Sequence, residues 1–391
     1  SKHLVAIESC VFGEQVFNSE KVLEEKGAKM QYSICALPGD GIGPEIVREA
    51  RKVLEKVAEL EGFSLQFTEK AFGGAAIDLY GEPLPEDTLE TCNASHAVLM
   101  GSIGGKVGVS PWYSLPVEKR PEAGLLSLRK QLGLFCNLRP AKLYKELRDS
   151  CPLKEEIIGD GFDIMMIREL TGGLYFGKRS ITEENGEEVA RDELIYRAHE
   201  IERIGRIAFS LAKERGGKLC SVDKANVLDS SRLWRKIFTK LGEEEKEVEL
   251  RHALVDSTAM ELVRNPRNFS VIVTENMFGD ILSDEMAEIA GSLGMLPSAS
   301  LGDNAFGLYE PSGGSAPDIA GQNIANPLAT ILSAAMLLEI SLGEKKAAKR
   351  VENAVEKVLA LGGRTKDIFS GKEGEKLLSC SEMGDFVVAQ L

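Results

Sequence analysis

An α/β fold with a mostly parallel sheet, arranged as two lobes around a cleft, is what this sequence predicts. Short β-branched runs alternate with segments of helical apolar periodicity along most of the chain, the pattern of strands layered with helices. At 391 residues the chain exceeds what a single core usually serves. The residues best suited to chemistry fall where strands end, which is where open α/β sheets bind ligands.

Taken in order, Ser1 to Lys29 mix four lysines with five glutamates and precede a Met30 that stands just before the first strong strand. They resemble neither a signal peptide nor an arginine-rich transit peptide, and are expected to be an appendage of unknown role. Tyr32 to Leu37 is apolar and predicts a strand. The run Pro38-Gly39-Asp40-Gly41-Ile42-Gly43-Pro44 follows, and a helix is expected from Glu45, with Ile46, Val47, Ala50, Val53, Leu54, Val57 and Ala58 on one face. This is not the dinucleotide fingerprint, because the third glycine position is Pro44.

Val98 to Gly101 predicts a strand, Leu125 to Leu132 a helix carrying Arg129, and Leu134 to Leu138 a strand delivering Arg139 ahead of Pro140. Ile164 to Ile167 predicts a strand ending at Arg168, with Tyr175 beyond Thr171-Gly172-Gly173. Ile181 to Asp192, with Asn185-Gly186, reads as a hairpin or arm. Leu194 to Leu211 predicts a helix, and Ser221 to Val227 sets Lys224 among small and apolar neighbours. Val248 to Asp256 predicts a half-exposed strand ended by Asp256. Phe269 to Val273 predicts a buried strand, and a helix is expected from Ile281. Gly291 to Leu301 reads as a small-residue loop, and Leu308 to Pro327 as a long irregular segment rich in Gly, Pro and Ala, too long to be idle. Leu328 to Leu338 is an almost wholly apolar, hence buried, helix; Val351 to Leu361 is a final amphipathic one.

Composition narrows the function. The 47 basic and 61 acidic side chains give a formal charge of −14, a surface that repels nucleic acid and anionic membranes on average. An anionic substrate must therefore meet a local basic site. No apolar run approaches the ~18 residues of a membrane span. Seven scattered cysteines without paired spacing point to a reducing compartment, the cytoplasm. None of the four histidines stands beside a nucleophile or a carboxylate cluster. The chemistry is therefore expected from carboxylates, lysine, tyrosine and arginine.

The stretch Thr274 to Asp284, TENMFGDILSD, is the most informative. Asp280 and Asp284 are four apart, so on a helix their carboxylates rise from one face, one turn apart. Hard oxygen ligands so placed suit Mg²⁺ or Mn²⁺, although a solvated acidic helix start has the same spacing. Arg129, Arg139 and Arg168 stand at element ends in an acidic protein, and arginine holds carboxylates in a bidentate fork that lysine lacks.

With these residues assembled, the chain from about Gln31 onward resembles the isocitrate and isopropylmalate dehydrogenase family of metal-dependent oxidative decarboxylases. LPGDGIGPE at Leu37, LLSLRKQLGLFCNLRPAK at Leu125, RELTGGLYFGK at Arg168, SVDKANVL at Ser221, TENMFGDILSD at Thr274 and GGSAPDIAG at Gly313 occur in the family's order. The resemblance implies a two-lobed fold with a mixed, largely parallel sheet that is not a Rossmann fold. It implies 1–30 as the appendage, 31–134 with 292–391 as a cofactor-binding domain, and 135–291 as a substrate, metal and dimerisation domain. It implies a homodimer in which each site borrows Lys224 and Asp256 from the other copy.

Carried over by position, Arg129, Arg139 and Arg168 grip the two malate carboxylates. Asp280, Asp284 and the borrowed Asp256, which also touches substrate, hold Mg²⁺ or Mn²⁺, and Tyr175 and Lys224 form the acid/base pair. Ile42, Gly105, Glu122, Glu310, Gly314, Ser315, Ala316, Asp318, Ile319 and Asn326 fall where the family holds its nicotinamide cofactor. Relatives that use NADP carry lysine and tyrosine where this chain has Asp318 and Ile319, so NAD is expected. Leu125 and Leu126, closed by Val227 of the second copy, would wall a branched alkyl group. A third carboxylate there would be buried unpaired, which disfavours isocitrate. A malate, tartrate or homoisocitrate dehydrogenase is the neighbouring alternative, and a non-catalytic regulatory subunit the distant one.

Overall fold

The computed structural model of the chain describes residues 29–391, so the appendage expected before Met30 lies almost wholly outside the described residues. The elements are β1 (Gln31–Gly39), α1 (Gly43–Glu61), β2 (Ser64–Glu69), α2 (Gly74–Tyr80), α3 (Glu86–Ala94), β3 (Ala97–Ser102), α4 (Pro121–Gln131), β4 (Cys136–Lys142), α5 (Glu155–Ile158) and β5 (Asp163–Glu169). Then come β6 (Arg179–Glu184), β7 (Glu187–Asp192), α6 (Ala198–Glu214), β8 (Lys218–Asp223), α7 (Asp229–Glu244), β9 (Glu249–Leu254), α8 (Val255–Arg264), β10 (Val271–Thr274) and α9 (Asn276–Ile289). The chain closes with β11 (Ala299–Leu301), β12 (Gly307–Tyr309), α10 (Leu328–Ile340), α11 (Lys345–Ala360), β13 (Gly363–Arg364), β14 (Lys376–Leu377) and α12 (Cys380–Gln390).

Ten strands form one sheet in the order β2-β1-β3-β12-β11-β4-β5-β10-β8-β9. Both flanks are parallel, while β12-β11, β11-β4 and β4-β5 pair antiparallel, so the sheet is mixed at its centre. Successive strand residues point to opposite faces. One face, here called the rear, is a single continuous core in which Ile34, Leu99, Leu138, Ile167, Val273 and Leu219 meet the helices α1, α6, α7, α10 and α11. The front face has two separate cores. One, around Cys35, Leu37, Val98, Met100 and Leu128, covers β1 and β3; the other, around Ile164, Met166, Val222, Ile272, Leu282 and Met286, covers β5, β10 and β8. The gap between these two cores is the cleft.

Several expected boundaries move, each for a local reason. The strand expected to stop at Leu138 continues to Lys142 through Arg139 and Pro140. Proline is tolerated because β11 pairs only with Cys136 to Leu138, so β4 has an open edge where Pro140 lacks its N–H. The helix expected from Ile281 begins at Asn276, because the Glu275 carboxylate accepts the Met277 and Phe278 amides and caps it. Asp256 does not end a strand; it sits in the first turn of α8. The loop expected over Gly291 to Leu301 contains β11, and the irregular run from Leu308 begins in β12. The expected hairpin is present as β6 and β7, with Asn185 and Gly186 at φ 55° and 79°, the left-handed pair such a turn demands.

The first glycine loop is explained by packing. Gly41 has φ 59°, and a Cβ there would lie 2.0 Å from the Ser315 carbonyl oxygen. The glycine lets the β1–α1 turn touch the segment from Gly313 onward, and the Ile42 amide donates to that same carbonyl at 2.8 Å. Among the described residues no helix is long and apolar enough to cross a membrane, and the six described cysteines are buried and free.

Candidate active site

The cleft encloses about 480 Å³ and brings together Leu125, Leu126, Glu122, Arg129, Arg139, Arg168, Tyr175, Asp280, Asp284, Glu310 and Gly314. The three arginines reach it by different routes. Arg129 lies in the last turn of α4, while Arg139 and Arg168 project from the front of neighbouring strands, where Arg139 is opposite Met166 and Asn137 opposite Arg168. All three are buried, at 5%, 4% and 2% exposure, which is costly for a charge unless partners are fixed beforehand.

Those partners are present. Asn137 accepts from Arg139 Nε at 2.8 Å while its own amide donates to Ser298, Ser300 and the Ala299 carbonyl. Ser283 accepts from Arg139 Nη1 at 2.6 Å. Asn276 accepts from Arg168 through its side chain and its carbonyl at 2.8 to 3.1 Å, and donates to the carbonyls of Leu170 and Gly172. Arg129 pairs with Glu310 at 3.1 Å, yet Arg129 Nε and Glu310 Oε2 are buried without partners. Two orphaned polar atoms in a cleft are capacity for a ligand.

Asp280 is the hub of the acidic side. It accepts from Arg168 Nη1 at 2.8 Å and from the Tyr175 hydroxyl at 2.9 Å, with Arg139 at 3.6 Å. Burial alone would raise its carboxyl, but Arg168 and Arg139 outweigh that and hold it below the usual range. Asp284, one turn on and 57% exposed along its side chain, is tilted the other way: burial raises it despite Arg139 at 3.9 Å. Burial, then the neighbouring Arg139, lowers the Arg168 guanidinium to about 9. Burial and the Asp280 charge push the Tyr175 phenol up to about 12, so it carries its proton at neutral pH and can donate it.

Lys224, Asp256 and Val227 do not line this cleft. Lys224 Nζ and Asp256 Oδ2 pair with each other at 2.9 Å beyond the end of β8, and that bond lowers the Asp256 carboxyl. Among the described residues no three His, Cys, Asp or Glu side chains converge as a metal site. Two carboxylates on one wall nevertheless fit Mg²⁺ or Mn²⁺, which need only one or two protein carboxylates when a substrate supplies further oxygens.

Of the expected cofactor residues, Glu122, Glu310 and Gly314 line the cleft, and Ile42, Gly105, Ser315, Ala316, Asp318, Ile319 and Asn326 do not. Ile42 and Ile319 pack on the same small cluster, Ala316 has φ 41°, and Glu45 accepts from the Gly321 and Asn323 amides, clamping the loop to α1. Glu122 accepts from the Tyr113 hydroxyl at 2.5 Å, and that hydroxyl lies 3.4 Å from the Gly105 amide. Asn326 accepts from the amide of Leu328, the first residue of α10, at 2.9 Å, a structural duty that the sequence did not indicate. Asp318 pairs with Lys106 at 3.3 Å on the surface. The sequence reading missed Lys106 and the three arginine holders Asn137, Asn276 and Ser283. Asn137 was findable, because it stands two residues from Arg139 on one strand face.

The comparisons agree with this architecture. Residues 33–387 match the family described as isocitrate/isopropylmalate dehydrogenase, and the chain belongs to that family. It is 56% identical over 362 residues to 3-isopropylmalate dehydrogenase 1, chloroplastic, of Arabidopsis thaliana, covering 92% of this chain and 87% of that one. It is 55% identical to 3-isopropylmalate dehydrogenase of Clostridium acetobutylicum, covering 92% and 99%. Among solved structures, isocitrate dehydrogenase from Methylococcus capsulatus superposes with TM-score 0.80 at 33% identity, covering 92% and 99%.

Proposed function

We propose that the chain catalyses the NAD-dependent oxidative decarboxylation of (2R,3S)-3-isopropylmalate to 4-methyl-2-oxopentanoate and CO₂, a step of leucine biosynthesis. The observation that carries the choice of substrate is the cleft wall itself: three buried arginines on one side and Leu125 with Leu126 on the other. The arginines pair the two malate carboxylates, and the leucines take the isopropyl group, whose burial is worth ~1.5–3 kcal/mol. Isocitrate would place a third carboxylate against that apolar wall.

Lys224 of a second copy removes the C2 hydroxyl proton, and the C3 carboxylate leaves as CO₂ with its bonding pair retained by the substrate as an enolate; a bound nicotinamide would supply the acceptor for the C2 hydride. Tyr175 returns a proton to C3. Asp280, Asp284 and Asp256 of the second copy would hold Mg²⁺ or Mn²⁺, which would supply Lewis-acid polarisation. Asp318 would accept from the adenosine ribose of a bound cofactor, and its charge would disfavour a 2′-phosphate.

Support for a homodimer with shared sites comes from α8 and α9, which expose Met260, Val263 and Ile281 at 60%, 43% and 60%. An apolar stripe beside Asp256 and Asp280 suits a second copy that exchanges active-site residues. The division into a cofactor domain (31–134 with 292–391) and a substrate domain (135–291) is supported by the two separate front cores. A cytoplasmic, reducing setting remains our reading from the cysteines. The test is NADH formation with 3-isopropylmalate, malate and isocitrate in turn, with and without Mg²⁺. Metal-dependent turnover fastest with 3-isopropylmalate is expected; a preference for isocitrate would overturn the substrate assignment.

A further inference from the structure

Behind β4 and β5, on the face away from the cleft, the rear core borders a cavity of about 110 Å³. It opens where β11 has already ended, between α10 and α11 on one side and the C-terminal end of α6 on the other. Its apolar lining includes Met165, Leu332 and Met336. The polar part of the lining is incompletely paired. Tyr144 is nine-tenths buried, and its hydroxyl makes no hydrogen bond among the described residues. Arg215 spends Nη2 on the carbonyl and carboxylate of Asp163, both at 3.0 Å, and its Nε is buried with no partner. Glu352, from α11, pairs among the described residues only with Lys349 of its own helix, at 3.2 Å.

Donors left unpaired at a buried surface are rare in native proteins and need an occupant. Here two unused donors and a carboxylate surround an apolar floor. A dry apolar cavity of ~150 Å³ accepts benzene, so this one accepts an aliphatic arm of a few carbons. We propose that the cavity is a second ligand site, for a free α-amino acid with a medium-sized apolar side chain. The ligand carboxylate meets the Tyr144 hydroxyl and Arg215 Nε, the ammonium meets Glu352, and the side chain lies on Met165, Leu332 and Met336. None of these residues belongs to the cleft, so the site is independent of the dehydrogenase reading.

Isothermal titration calorimetry of the full chain with L-valine, L-leucine and L-methionine tests it, with 3-methylbutanoate and 3-methylbutylamine as half-ligands. At least one amino acid should bind saturably and more tightly than either half-ligand. Tyr144→Phe should weaken that binding about fivefold, the worth of one hydrogen bond. Met336→Trp should abolish it by filling the floor, with Leu332→Phe as the alternative filler should Met336→Trp not fold. Turnover should be unchanged in each. Absence of saturable heat with all three amino acids, a half-ligand binding as tightly as its parent, or binding indifferent to Tyr144→Phe and to the filler would each overturn the proposal.

Discussion

Strands β4 and β5 present opposite chemistry to the two sides of the sheet. Towards the front they send Asn137, Arg139 and Arg168; towards the rear, from alternating positions, Leu138, Met165 and Ile167. All six are buried. The rear residues join one uninterrupted core, whereas the front ones occupy the gap between two cores and are held by hydrogen bonds to Asn276, Ser283 and Ser298. Two strands therefore divide the labour residue by residue. The rear side chains stabilise the chain, and the front ones hold like charges together, offset by Glu310 and Asp280.

Substitutions can separate these duties. The largest effect is expected for Arg168→Leu, which should lower kcat/KM for 3-isopropylmalate by roughly 10²-fold or more. A loss of less than about tenfold would show that Arg168 does not meet the substrate. Leu138→Ala should do the reverse, costing about 2–5 kcal/mol in denaturant unfolding and leaving the kinetics of the folded fraction intact. On the front rim, Asp318→Ala should shift the NAD⁺ to NADP⁺ specificity ratio only about fivefold, because a single exposed charge acts through water and Lys106 already offsets it.

The gentlest effect concerns Glu169, buried on the rear of β5. Burial raises its carboxyl above the ordinary range, outweighing hydrogen bonds from Thr171, Tyr196 and Gly172. The folded chain thus holds this proton more tightly than the unfolded one. The contribution to stability is greatest below the unfolded value of about 4.3 and declines as pH rises through the raised one. Unfolding free energy of the native chain minus that of Glu169→Gln should therefore fall as pH is raised from acid to neutral. A flat or rising difference would place the cost elsewhere.

Periodicity made β1, β3, α1 and α10 legible, because each is long enough to repeat its pattern and sits wholly against a core. It could not reveal β11 or β12, three residues each, whose pairing is decided by the strands beside them. Alternation misled at Val248 to Asp256: the pattern runs on by coincidence through Val255 while the backbone has already turned into α8. Pro140 misled in the same way, since the open edge that admits it depends on where β11 stops. In the site, the arginines, Tyr175 and the Asp280–Asp284 pair were visible as types and spacings. The supports Asn276, Ser283 and Ser298 were not, because their importance lies in which guanidinium or amide they meet across more than a hundred residues of chain.

The bonds of Asp280 make ligand entry an exchange of partners. Its two oxygens hold Arg168 and Tyr175, and the same oxygens are the ones a divalent cation would claim. Once Asp280 turns to a cation, Arg168 is released for the incoming dianion, and a dianion that captures Arg168 frees Asp280 in return. Cation and dianion should therefore load synergistically, each tightening the other by the same factor, as reciprocity requires.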